Sequence, residues 1–207
     1  MFCPQCRCEF VGWTDKCPDC HTSLVEELPP VPEAADKPIS YEALVDRVRE
    51  NDGQLKVDLS TTDVGMERKW GFPYLGYKFA WAKRMQGNLD DNVVDLTTAQ
   101  VGREKKRSFP YQGHGYAWAK RMEGHIGGNP VALTANKVGR EKETGFPYRG
   151  YGFAWTQELS GECGDRLRVN LQVTDVGRKK GWSFPYSGYG SAWANEGVLT
   201  LTLNEQF

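Results

Sequence analysis

Val64-Gly65-Met66-Glu67-Arg68-Lys69-Trp70-Gly71-Phe72-Pro73-Tyr74-Leu75-Gly76-Tyr77-Lys78-Phe79-Ala80-Trp81 is one of four variants of the same stretch. The Val-Gly pair recurs at Val101, Val138 and Val176, at spacings of 37, 37 and 38 residues. Phe-Pro-Tyr stands eight positions after each Val, beginning at Phe72, Phe109, Phe146 and Phe184. Ala-Trp closes each stretch, at Trp81, Trp118, Trp155 and Trp193. So strict a period makes each copy one structural unit that buries its apolar face against its neighbours.

The residues before each anchor alternate. Leu55, Val57 and Leu59 face one way and Lys56, Asp58 and Ser60 the other, as do the residues around Val94, Val131 and Leu167. A two-residue period is the mark of a half-buried strand. A second strand fits Tyr77, Phe79 and Trp81, with equivalents near Trp118 and Trp155. Segments 87–92, 124–129 and 161–164 are rich in Gly, Asn and Asp and read as turns between copies. Residues 198–203 repeat the first-strand pattern without the anchor and serve as a closing strand. The fold class is therefore mainly β: an antiparallel meander of four repeats over residues 54–207, closed as an up-and-down barrel or a small four-bladed propeller.

The N-terminus carries Cys3-Pro4-Gln5-Cys6 and Cys17-Pro18-Asp19-Cys20. Two such pairs supply four thiolates in a tetrahedron suited to zinc. Residues 1–27 resemble the rubredoxin-like knuckles of bacterial zinc ribbons, although His21 stands where such ribbons commonly have Gly. Only Phe10, Val11, Trp13, Leu24 and Val25 are available as a core there, so a structural Zn2+ on Cys3, Cys6, Cys17 and Cys20 is expected to fold the segment. Cys8 is left as a spare thiol and Cys163 as a lone loop cysteine.

Residues 28–39 hold four prolines and form a semi-stiff linker. Residues 40–53 then predict a short helix, with Ser40 as cap and Asn51-Asp52-Gly53 as stop. Its stripe of Tyr41, Leu44, Val45 and Val48 needs a partner surface, most simply one end of the repeat domain.

Charge divides unevenly. Residues 1–54 carry 5 Lys/Arg against 11 Asp/Glu, and residues 55–207 carry 21 against 16. Four positions after each anchor Val lies Arg68, Lys105, Lys142 or Lys180, and two positions after lies Arg103, Arg140 or Arg178 in three copies. Beside Tyr74, Tyr111, Tyr148 and Tyr186, such bases suit a single-stranded nucleic acid, with phosphate on cation and base on ring. Glu67, Glu104 and Glu141 interleave with them, which also fits cross-strand ion pairing. Exposed Phe-Pro-Tyr would equally serve a peptide or a sugar ring.

The three histidines join no nucleophile–base set, and no phosphate-cradling loop or carboxylate cluster stands out. The Met-Phe-Cys-Pro start lacks a secretory pattern, and no stretch approaches the roughly 18 apolar residues of a membrane helix. The sequence thus leads to a cytoplasmic, non-enzymatic binding module with no membrane partner. A protein or peptide partner comes first, nucleic acid second and carbohydrate third. The repeated glycines read as bends, bulges or positive-φ sites, the tryptophans as core, and the divergent fourth copy as a cap.

Overall fold

A computed structural model describes residues 38–71, 74–106, 114–143, 151–183 and 186–204, together with Ser23 and Val25. The chain divides into two compact units, Met1–Ala34 and Ala35–Phe207, and the helix and eight strands belong to the second. Cys3, Cys6, Cys17 and Cys20 lie outside the described residues.

Helix α1 (Tyr41–Glu50) is followed by β1 (Gln54–Gly71), β2 (Tyr74–Leu89), β3 (Asn92–Lys106), β4 (His114–Ile126), β5 (Asn129–Glu143), β6 (Tyr151–Cys163), β7 (Leu167–Ser183) and β8 (Tyr186–Leu203). Each strand pairs antiparallel with the next, and β8 returns to β1 through Gln54↔Thr202 to Ser60↔Glu196. The closure is that of an up-and-down barrel, and residues 198–203 are the end of the strand that closes it.

In the lower half of the barrel the two-residue period does what it predicts. Val57, Leu59, Val94, Leu96, Leu133, Val169, Leu171, Leu199 and Leu201 are buried in one core. Lys56, Asp58, Ser60 and Thr97 alternate with them and are exposed. The connections are tighter than the sequence suggests, because β2 runs to Leu89, β4 to Ile126 and β6 to Cys163. Gly127 and Gly128, at φ 54° and 89°, supply two successive left-handed residues for a two-residue hairpin whose twist matches its strands. Cys163 is consequently no loop residue. It is buried in the core, and burial pushes its thiol above the ordinary cysteine range.

The helix closes this end. Ser40 caps it by accepting from the Ala43 N–H at 3.3 Å, and Asn51, Asp52 and Gly53 end it, the last two at positive φ. Leu44, Val45 and Val48 are fully buried in the barrel core. Polar contacts tie α1 to three successive turns. Arg47 pairs with Asp90 at 2.6 Å, and Asn129 Nδ2 donates to the Ile39 carbonyl at 2.9 Å. Tyr41 Oη donates to Asp165 at 3.1 Å and accepts from the Arg166 N–H at 2.8 Å. An amphipathic stripe is stable here because the barrel mouth is the apolar surface it lacks alone.

The upper half is built differently. Pairing between β2 and β3 stops at Arg84↔Thr97, between β4 and β5 at Arg121↔Thr134, and between β6 and β7 at Glu158↔Gln172. Beyond those points each odd strand pairs only with the even strand that follows it, giving four two-stranded arms. A register shift lies just before each Val-Gly, between Thr61 and Val64, Thr98 and Val101, Ala135 and Val138, and Val173 and Val176. Strands β2, β4, β6 and β8 then contact one another in a closed ring. Ala80, Ala82, Ala117, Ala119, Ala154, Ala192 and Ala194 on them are buried, small enough for four strands to converge.

The anchor glycines and the tryptophans explain each other. Gly65, Gly102, Gly139 and Gly177 pair with Trp81, Trp118, Trp155 and Trp193 across their arms. A Cβ at Gly102 would lie 2.3 Å from Cε2 of the Trp118 indole, and the other three pairs have the same geometry. None of these glycines has positive φ, so they are required for ring contact and not for bending. The tryptophans are half-buried covers on the arms, not members of the core. Gly102→Ala should therefore push the indole aside and cost about 1–3 kcal/mol. Trp118→Ala should cost about 2 kcal/mol, less than the ~3–5 kcal/mol of a fully buried aromatic. Urea unfolding midpoints of the two variants check both values.

Candidate functional site

Because α1 is tied to the β2–β3, β4–β5 and β6–β7 turns, the ends of β1, β3, β5 and β7 and the starts of β2, β4, β6 and β8 lie at the opposite end of the barrel. The four copies of the repeated stretch run through those strand ends. Residues 66–79, 103–116, 140–153 and 178–191 hold 13 Lys/Arg against 4 Asp/Glu and 16 of the 25 aromatic residues. Their net charge is +9, in a chain whose total is −1.

The bases four positions after each Val stand at one level in the four arms. In the backbone register Arg68 faces Lys78, Lys105 faces Gly115, Lys142 faces Gly152 and Lys180 faces Gly190. Tyr74 and Tyr186 begin β2 and β8, opposite Gly71 and Ser183. Tyr111 and Tyr148, like every Phe-Pro of the motif, lie outside the described residues.

The other arginines are not free cations. Arg103 pairs with Glu67, Arg140 with Glu104 and Arg178 with Glu141, each at 2.7 Å. The alternation of acid and base in the sequence thus reports ion pairing, but between successive arms and not within one strand pair. Each partner keeps a quarter or more of its side chain in solvent, so a pair contributes about 0–1 kcal/mol and its value is chiefly positional. Cross-strand neighbours complete a repeating contact. Glu67, Glu104 and Glu141 stand opposite Phe79, Tyr116 and Phe153, while Arg103, Arg140 and Arg178 stand opposite Ala117, Ala154 and Ala192. The three aromatics are 4–7% exposed despite lying outside the barrel core.

Hydroxyls help where the ladder between arms has ended. Thr61 Oγ1 donates to the Ala194 carbonyl at 2.6 Å, Thr98 to Ala82 at 2.5 Å and Thr156 to Ala119 at 2.6 Å. Sequence reasoning gave these threonines no role. Their signal is weak, since Thr61 and Thr98 share a repeat position and Thr156 occupies another.

The outer face of β6, β7 and β8 offers a second, shallow concavity of about 950 Å³. It is lined by Ser160, Glu162, Arg168, Asn170, Gln172 and Thr202 among others, with no aromatic residue on which a sugar ring would stack. No group of His, Cys, Asp and Glu among the described residues is placed to hold a metal ion. No described helix is long and apolar enough to cross a membrane. Comparison with protein-family models, curated proteins and solved structures finds no match to this chain.

One carboxylate below the arms is shifted by its partner. The Arg84 guanidinium, donating from Nε to Asp95 Oδ1 at 2.8 Å, holds the Asp95 carboxyl below the usual carboxylate range. A carboxyl depressed in the folded state adds stability that is complete above its unfolded pKa near ~4 and lost as pH falls through the folded value. Asp95→Asn should therefore flatten the acid limb of stability. Urea midpoints of wild type and variant, followed from neutral pH to about pH 2, should converge as the acid limb is descended.

Proposed function

We propose that this chain is a non-enzymatic binding module whose working surface is the four-arm end, and that its partner is single-stranded nucleic acid. One observation carries the reading: antiparallel topology brings the described ends of the four arms together, and the four segments of sequence that run through them are basic, aromatic-rich and of net charge +9. Cation and ring at short intervals match a chain of phosphates and bases, each base offering a π face whatever its identity. Arg68, Lys105, Lys142 and Lys180 are the phosphate contacts in this reading, and Tyr74, Tyr111, Tyr148 and Tyr186 the stacking platforms. Arg103, Arg140 and Arg178 hold the arms in place.

The sequence alone ranks a protein or peptide partner first. The charge of the four segments reverses that order, because they carry 13 Lys/Arg against 4 Asp/Glu, and Glu67, Glu104 and Glu141 are engaged by Arg103, Arg140 and Arg178. A peptide partner remains the second reading, favoured by the uncharged amides and hydroxyls along β7 and β8. The N-terminal segment is proposed as a structural zinc ribbon on Cys3, Cys6, Cys17 and Cys20, in a reducing cytoplasm where thiolates persist.

Two experiments decide these points. A labelled oligothymidylate of about 12 nucleotides should bind with an affinity that falls steeply between about 50 and 200 mM salt. Flat or absent binding rejects nucleic acid and leaves the peptide. Elemental analysis of the full chain should find about one zinc per chain, and Cys17→Ser should lose it. A wild-type protein purified without metal would reject the ribbon.

A further inference from the structure

Three junctions between arms share one Glu–Arg contact and an aromatic residue opposite the Glu, and the fourth has none of the three. Where Glu67, Glu104 and Glu141 stand in the first three arms, the fourth has Lys179, and opposite it Ser191 replaces Phe79, Tyr116 and Phe153. Where Arg103, Arg140 and Arg178 receive those glutamates, the first arm has Met66, opposite Ala80. One further step around the closed barrel brings these two departures to the same junction, between β7–β8 and β1–β2.

The junction is altered in charge, bulk and polarity together. It has lost the carboxylate, the guanidinium and the aromatic ring, and a lysine and a methionine occupy the positions that hold the ion pair elsewhere. Lys179 is exposed and has no carboxylate partner among the described residues. Met66, 51% exposed, is the exposed large apolar side chain of the described surface. The junction nevertheless keeps a hydroxyl contact between arms, since the Thr61 hydroxyl donates to the Ala194 carbonyl there as its equivalent Thr98 does to Ala82.

We infer that this junction is the principal anion contact of the four-arm end, with Lys179 receiving a phosphate of a single-stranded nucleic acid and Met66 covering the adjoining sugar and base. The inference rests on the nucleic-acid reading above and deepens it by naming where the strand is held. Charge complementarity selects this seam. At the other three a phosphate meets a glutamate already engaged with its arginine, and gains little from a neutral pair. At the fourth it meets an ammonium with no carboxylate partner among the described residues, and a charge-assisted hydrogen bond to it displaces no ion pair. The fourth copy, which the sequence suggests is a cap, becomes one wall of the site.

Building the missing ion pair tests this. Met66→Arg combined with Lys179→Glu recreates the contact of the other three junctions and lowers net charge by one. Lys120→Gln, at an exposed position on β4, lowers it by the same amount away from the junction. Fluorescence anisotropy with the oligothymidylate should show the double variant binding about tenfold or more weakly, with a salt slope reduced by about one. Lys120→Gln should stay within about twofold of wild type. The urea midpoint of the double variant should be unchanged or raised. Lys179→Gln, which matches the control in charge without building a pair, replaces the double variant if that midpoint falls, and it too should bind more weakly than Lys120→Gln. Weakening no greater than that of Lys120→Gln overturns the inference while leaving the nucleic-acid reading standing. A wild-type chain that does not bind the oligonucleotide overturns both.

Discussion

Everything in the upper half of this barrel follows from the point at which neighbouring arms stop sharing hydrogen bonds. The strands run 13–18 residues, yet the ladder between β2 and β3 covers only Arg84↔Thr97 to Leu89↔Asn92. Beyond it each arm has two edges whose N–H and C=O groups need other partners, and such edges invite mispairing. Threonine hydroxyls take carbonyls of Ala82, Ala119 and Ala194, and Arg–Glu pairs clamp arm to arm. These contacts are individually weak, so the arrangement depends on their being repeated and on four alanine-bearing strands meeting in the middle.

Below that point the physics is ordinary hydrophobic burial. The alternating strands of the body bury one face each, and α1 contributes three fully buried side chains to the same core. The stripe on α1 and the open mouth of the barrel are complementary half-cores, and neither is stable against water alone. Cys163 belongs to this sealed end, and its raised thiol is chemically quiet there.

What was legible in the sequence divides along the same line. The body strands and the helix with its caps could be read because period and capping chemistry are local signals. Gly65, Gly102, Gly139 and Gly177 are legible in the sequence as backbone necessities, but their contact with an indole is not. Only the cross-strand register reveals that an indole lies over each of them. The tryptophans looked like core because aromatics usually are, whereas here they cover the outside of thin, two-stranded arms. The Arg–Glu pattern was read as an ambiguity between ligand and lattice of charges. It resolves only when the arms are placed side by side, because its partners lie on β1 and β3, or β3 and β5, with another strand between. Segments 87–92, 124–129 and 161–164 looked like turns because their composition is turn-like. Hydrogen bonding continues into most of each one, and composition does not encode a ladder's last rung.

Repetition itself then needs a more careful reading. A residue kept in all four copies, such as Gly opposite Trp or Ala on the converging strands, answers a demand that every arm makes: to fold and to pack. A ligand makes no such fourfold demand unless it is itself symmetric, and a linear polymer is not. An asymmetric partner is best met by a surface that is repeated in its scaffold and broken at one place. Met66, Lys179 and Ser191 break the repeat at the junction of first and last copies, and under the proposed reading that break faces the partner. In a duplicated fold, therefore, positions that stay the same report chiefly on stability. Departures that cluster in space, and change charge and volume together, point to the partner.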